Sequence, residues 1–384
     1  MSTDKGMRQY GKREFSYTCS VNMPESKRIL FVVQHRWDRS PGQRYRCEQY
    51  IPYLEKAGFE CVYSPILVDA KEDKDFYSPG NYLRKLDLFL KGAWRRWKDA
   101  RRAKDFDIVY IYREAFMTGT IMFEKMLKRS GAKIVYDFDD AIWNHDVSRA
   151  NKALGWLKNP EKINDITALA DLVIVGNEYL AQHARQFNPH TVIVPSTIDL
   201  DYYRIPGRKE NDTVVIGWSG SLTTIAHLEP SIPVLLRIKE RFGNKVSFRV
   251  FGIPEYEHEE LGIKGIGWTP QNEVEQIAAF DIGIMYLPDN EWTRGKCGMK
   301  GLQYMALEVA TVMSAVGANK DIVQDGENGF LASNDDEWVE KISRLVESKQ
   351  LRQQLGKAGR KTIEERYSCQ ALHKTYVSYF ENLL

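Results

Sequence analysis

The sequence predicts an α/β protein built from two Rossmann-like domains, and three observations carry that expectation. Short continuous apolar runs recur at 29–33, 108–112, 133–136, 172–175 and 192–194 with helical patterns between them, as expected for parallel strands buried on both faces. The pattern then restarts. A polar stretch with proline and glycine at 206–211 is followed by Val214-Val-Ile-Gly-Trp-Ser-Gly-Ser221, another buried run closed by a glycine turn, and further strands are expected at 246–251, 265–268, 281–287 and 311–315. Finally, 384 residues are enough for two domains that each bury a core of their own. The expected division is a mobile tail at 1–27, domains at 28–206 and 207–365, and an amphipathic helix at 366–384.

Composition narrows the partners. A formal net charge of +2 gives no general argument for nucleic acid, so any basic site must be local. Five cysteines at 19, 47, 61, 297 and 369 are odd in number and lack metal-ligand spacing, which favours a reducing, cytoplasmic compartment. No stretch reaches the roughly 20 apolar residues of a spanning helix. The protein is expected to be soluble or peripheral.

In the first half, the run at 29–33 feeds a loop that ends in a helix carrying Arg44 and Arg46. Strand, loop and helix in that order put both arginines at the carboxyl edge of the sheet, where open α/β folds bind ligands. The run at 133–136 continues into Asp137-Phe-Asp-Asp140, so Asp137, Asp139 and Asp140 gather at another strand end. Such carboxylates can bind a metal, orient sugar hydroxyls, act in acid–base catalysis, or cap the next turn. His145 follows closely. Between the runs at 29–33 and 108–112, residues 84–104 hold nine lysines and arginines against Asp87 and Asp99. Leu83, Leu86, Leu90, Ala93, Trp94 and Trp97 interleave at near-helical spacing. Such a helix either packs its apolar stripe on the sheet or lies on an anionic membrane surface.

In the second half, Ser219, Gly220 and Ser221 form the turn after the opening strand. The Trp268-Thr269-Pro270 corner either edges a binding pocket or packs Trp268 in the core, and core packing is the favoured expectation. The segment 289–307 runs from strand to loop to helix, with Arg294, Lys296 and Lys300 around Gly295 and Gly298. Free amides at a helix start, the positive end of its dipole and three cations together make a phosphate or diphosphate site. Asn334 and Glu337 have capping-box spacing. Gly356-Lys-Ala-Gly-Arg-Lys-Thr362 has neither the glycine spacing of a phosphate loop nor a preceding strand, and no dinucleotide fingerprint follows either opening strand, which argues against a dehydrogenase.

The words Lys300-Gly-Leu-Gln-Tyr-Met-Ala306, Val316-Gly317, Asp321-Ile-Val323 and Asp325-Gly-Glu-Asn-Gly-Phe330 resemble the donor-site signature of family 4 glycosyltransferases of the GT-B fold. That resemblance implies two domains facing each other across a cleft, with the last helix crossing back to the N-terminal domain. The nucleotide-sugar would lie in the C-terminal half and a glycan or lipid-linked acceptor in the N-terminal half. It implies transfer with retention, no metal or other cofactor, Asp139, Asp140 and Lys300 at the reacting centre, and Arg44 and Arg46 near acceptor or diphosphate. Two glutamates eight positions apart hold the nucleotide-sugar in that family. Here the later position is Gln303, which can still bond ribose hydroxyls, and the earlier is Gly295, so sugar recognition differs or Glu291 takes over. Two other readings stay open: a binding protein that has lost turnover, and a nucleotide-sugar epimerase.

Overall fold

The computed structural model describes residues 26–78, 80–143, 159, 161–207 and 212–384. His145, the N-terminal tail before residue 26 and most of the 206–211 stretch lie outside them.

Six parallel strands form the first sheet: β1 (Arg28–His35), β2 (Glu60–Leu67), β3 (Ile108–Tyr112), β4 (Lys133–Phe138), β5 (Leu172–Val175) and β6 (Thr191–Ile193), in the order β2-β1-β3-β4-β5-β6. Ile29 to Val33 and all five residues of β3 are buried, which is why these segments read as unbroken apolar runs. The second sheet is also parallel, in the order β13-β12-β11-β7-β8, from β7 (Val214–Ser219), β8 (Val246–Phe251), β11 (Ile282–Met285), β12 (Ala310–Ser314) and β13 (Phe330–Ala332). A small antiparallel ribbon, β9 (Glu257–His258) and β10 (Ile263–Lys264), stands beside it. The strand expected at 265–268 does not form. Ile266 makes one isolated bridge to Phe251, because Gly265 and Gly267 carry no side chains to pack and the chain there turns toward the cleft.

The final helix, Cys369–Glu381, returns to the first domain, where Tyr376 stacks on Tyr50 at 4.0 Å and Phe380 lies 6.4 Å from Tyr110. Asn334 caps the Asp335–Glu347 helix by accepting from the Glu337 amide, and residues 356–362 lie inside the Lys349–Arg366 helix. Both sheets therefore present their carboxyl ends to one another, and the last helix ties the two domains together.

Candidate functional site

The carboxyl ends of the two sheets enclose a cavity of about 470 Å³, within the usual range for a small-molecule site. Its wall on the C-terminal side begins at the end of β7. Gly220 has to be glycine there, since a Cβ would sit 2.1 Å from Trp218 Cη2 and 2.7 Å from Thr224 Oγ1. Ser219 Oγ lies 3.0 Å from Tyr304 Oη and Ser221 Oγ lies 2.9 Å from Thr223 Oγ1. All three residues line the cavity, where they offer hydroxyls and backbone but no charge.

The cation comes from the next crossover. Asn290 and Thr293 cap each other's backbone around the short helix Glu291–Arg294, and Gly298, at φ +70, turns the chain into the helix Met299–Ala306. A residue with a Cβ would be strained in that left-handed conformation and would also meet Ile322 Cδ1 at 2.3 Å. Lys300 stands in the first turn of this helix, whose leading amides have no partner within the helix. Its ammonium lies 5.3 Å from the Trp218 ring centroid, and among the described residues no carboxylate pairs with it. Burial pushes its pKa down to about 8, with the Lys296 ammonium acting in the same direction and Asp140 opposing.

The first domain answers with a charged chain. Arg113 follows β3 directly at φ +62, an uncommon backbone conformation for a side chain this large. It donates to Asp139 Oδ1 at 2.7 Å and to Asp140 Oδ2 at 2.6 Å, while Lys296 Nζ reaches Asp140 Oδ1 at 2.8 Å from across the cleft. Tyr112 also donates to Asp139. Burial opposes ionisation of Asp139, but Arg113, Arg46 and these hydrogen bonds outweigh it and hold the carboxyl below its usual range. Asp139 is therefore a fixed anion and not a proton donor at neutral pH. Asp140 bridges two cations that belong to different domains.

A second cluster closes the opposite side. Gln303 sets its amide nitrogen within reach of Tyr203 Oη (2.6 Å), Tyr45 Oη (3.0 Å) and Glu273 Oε1 (3.0 Å). Arg44 spans the domains to reach both oxygens of Glu273 at 3.0 Å. Tyr45, Glu273 and Gln303 line the cavity.

Several expected site residues lie elsewhere. Arg46 is 1% exposed and sits beneath the sheet edge, paired with Asp137 at 2.9 and 3.0 Å and donating to the Val194 carbonyl. It is structural because the short helix Pro41–Arg46 points residues 44 and 46 in different directions. Arg44 is spent on Glu273. Arg294 is half-exposed and paired with Asp289 at 2.7 Å, and it does not line the cavity. Glu291 is exposed on the same short helix and is likewise absent from the lining. Gly295 packs against the first domain: a Cβ there would lie 2.7 Å from Ala141 Cβ, and its carbonyl accepts from Asn177. Trp268 departs the other way, being 39% exposed and on the cavity wall instead of in the core. Sequence reasoning missed Arg113, Tyr45, Tyr203 and Glu273. Arg113 alone left a signal, as the first charge after a fully apolar strand. Cys297 also lines the cavity, but burial pushes its thiol up to about 12 and makes it a poor nucleophile.

Residues 206–362 match the family model described as Glycosyl transferases group 1. The matched stretch spans the C-terminal domain, from the linker to the Lys349–Arg366 helix. Across 93% of this chain and 99% of the other, the structure resembles sucrose-phosphate synthase from Thermosynechococcus elongatus, with a TM-score of 0.64 and 13% identity. Across 93% and 100% it resembles Anabaena HepE in complex with UDP and glucose, with a TM-score of 0.62 and 15% identity. Both likenesses are of fold, and the fold is GT-B. The capsular polysaccharide biosynthesis glycosyltransferase CapM of Staphylococcus aureus is 32% identical over 89 residues, a match spanning 23% of this chain and 23% of that protein. In GT-B terms, Lys300 and the Ser219–Ser221 turn lie on the C-terminal side of the cleft, and Arg113, Asp139 and Asp140 face them from the N-terminal side.

Proposed function

We propose that this protein transfers a sugar from a nucleotide-sugar to a glycan or lipid-linked acceptor, with retention at the anomeric carbon. The observation that carries the reading is Lys300, an ammonium with no carboxylate partner among the described residues, at a helix start facing a serine- and glycine-lined turn in a cavity of nucleotide-sugar size. A diphosphate would supply the missing anion. As the sugar–phosphate bond breaks, negative charge grows on the leaving diphosphate, and fixed cations and helix-start amides lower the barrier by meeting that charge without reorganising. Lys300 takes that part, with Lys296 beside it. Asp139 and Asp140 act mainly by holding Arg113 and Lys296 in position across the cleft. The acceptor proton is assigned to the leaving phosphate oxygen, since Asp139 is held as an anion already committed to Arg113 and Tyr112. In this reading Trp268 borders the base and the Gln303–Glu273 pair the ribose.

The complexes of Anabaena HepE with UDP, UDP-glucose, and UDP and glucose support starting with UDP-sugars. CapM and its capsular polysaccharide support a polysaccharide-building role. The test is calorimetric titration of the purified protein with a panel of nucleotide-sugars, followed by product analysis on those that bind. Binding with transfer or slow donor hydrolysis supports the proposal, and nuclear magnetic resonance of the new linkage reads its anomeric outcome. Binding without turnover toward any glycan or lipid acceptor would favour the non-catalytic alternative. An altered donor sugar in the absence of acceptor would favour an epimerase. If no nucleotide-sugar binds, the assignment fails.

A further inference from the structure

The helix Tyr82–Arg102 buries one face and leaves an apolar stripe exposed on the opposite one. Its inner face buries Leu88, Gly92, Arg96, Asp99 and Ala100. Gly92 lies so close to Ile66 and Phe116 that a Cβ would come within 2.9 Å of Ile66. Arg96 is fully buried and donates to Ala115 O, Ser64 O and Asp99. That face packs on the sheet, and the outer stripe has no partner among the described residues. Leu83 is 84% exposed, Leu90 59% and Trp94 55%, with Leu86 and Trp97 also exposed. These five recur every three or four residues and so fall on one line along the helix.

The chemistry beside the stripe names its partner. Lys98 stands 3.5 Å over the Trp94 ring and Arg101 4.6 Å over Trp97. Lys91 pairs with the equally exposed Asp87. A tryptophan with a cation over its ring suits a bilayer interface, where the indole sits at the headgroup level and the cation meets lipid phosphate. A second copy of this chain fits less well, because a symmetric contact would set the same basic flank against itself. We infer that the outer stripe of this helix docks the protein on an anionic lipid surface.

Position gives the docking a purpose. The helix runs antiparallel to the strands and meets the carboxyl end of β2 at Gly92, so residues 82–91 extend about 15 Å further, toward the edge where the cleft opens. A membrane under the stripe would therefore lie beside the N-terminal side of the cleft. Combined with the transferase reading, on which this step alone rests, that favours a lipid-linked acceptor over a soluble glycan. No helix among the described residues is long and apolar enough to cross a membrane, so the contact is peripheral.

Co-sedimentation with phosphatidylcholine vesicles, with and without phosphatidylglycerol, at low and high salt tests the inference. The variants are Trp94→Gln/Trp97→Gln and Lys91→Gln/Lys98→Gln/Arg101→Gln. Every substituted side chain is exposed. Arg96 is left intact, because its removal would strip the buried face of its hydrogen bonds. The expected result is binding that requires phosphatidylglycerol, falls with salt, weakens about fivefold per charge removed and weakens at least as much without the tryptophans. Lack of vesicle binding by the unaltered protein overturns the inference, as does equal binding to neutral vesicles or indifference to both variants. Self-association abolished by the tryptophan variant would also overturn it, in favour of a dimer contact. Nucleotide-diphosphate affinity, measured on the same samples, reports the proposed function separately.

Discussion

Replacing Lys300 with methionine should move stability and ligand affinity in opposite directions. In the free protein the Lys300 ammonium has no carboxylate partner among the described residues, and burial lowers its pKa from the ordinary 10.5 to about 8. A folded pKa below the unfolded one means that the charged form is penalised by folding. The penalty is complete below pH 8, where both states hold the proton, and it is relieved as the pH rises from 8 to 10.5 and the folded state releases its proton first. The full shift corresponds to up to about 3 kcal/mol, and solvent in the open cleft reduces it to on the order of 1–2 kcal/mol. Lys300→Met fills the same volume without charge, so at pH 7 it should stabilise the free protein by that amount, with the gain shrinking toward pH 10. A bound diphosphate reverses the balance, since the charge then has a partner worth roughly 1.5–3 kcal/mol. The variant should lose about ten- to a hundredfold in affinity for a nucleoside diphosphate and little for the nucleoside. In the unaltered protein, diphosphate affinity should fall as the pH rises through and beyond 8. Urea denaturation and calorimetry on both forms across this range measure the two effects. A variant that is less stable at pH 7, or that weakens nucleoside and diphosphate alike, would show that Lys300 is a packing residue and refute the phosphate assignment.

Gly295→Glu, which places a glutamate where the resembling family 4 sequences have one, should lower donor turnover instead of raising it, because even its Cβ would lie 2.7 Å from Ala141 Cβ; small-angle scattering should show a more open molecule. Arg46→Met should cost about 3–5 kcal/mol in a urea melt by leaving Asp137 buried and unpaired, while nucleotide selectivity is retained. Gln303→Glu should weaken donor binding by setting two carboxylates about 3 Å apart, whereas the exchange Gln303→Glu/Glu273→Gln should recover much of the loss, with a coupling of about 1–3 kcal/mol between the sites. Additive losses in that cycle would show that the two side chains do not act as a pair.

The strands were legible because burial on both faces leaves a local mark. The runs at 108–112, 172–175 and 246–251 coincide with β3, β5 and β8, and the loop that carries Lys300 could be located from its glycines. What each charge does was not local in the same way. Arg44 and Arg46 lie two residues apart on one short helix, yet one crosses the cleft to Glu273 and the other pairs with Asp137 under the sheet. Arg95 and Arg96 are neighbours, and only Arg96 is fully buried. Spacing reveals that a side chain leaves a helix at a given angle, but the partner waiting there belongs to another strand or to the other domain.

Gln303 shows the same limit at the site itself. Read from the resemblance alone, it stands where family 4 has a carboxylate, and introducing glutamate would be expected to help. In the fold, a carboxylate stands 3.0 Å from it, delivered by Glu273 from thirty residues earlier and held by Arg44 of the facing domain. The pair needs one donor and one acceptor. If both positions were acidic, two carboxylates about 3 Å apart would share a single arginine, and the amide hydrogen bond that Gln303 donates to Glu273 would be lost. The amide is therefore the residue that this arrangement requires, and the site keeps its carboxylate on a different element.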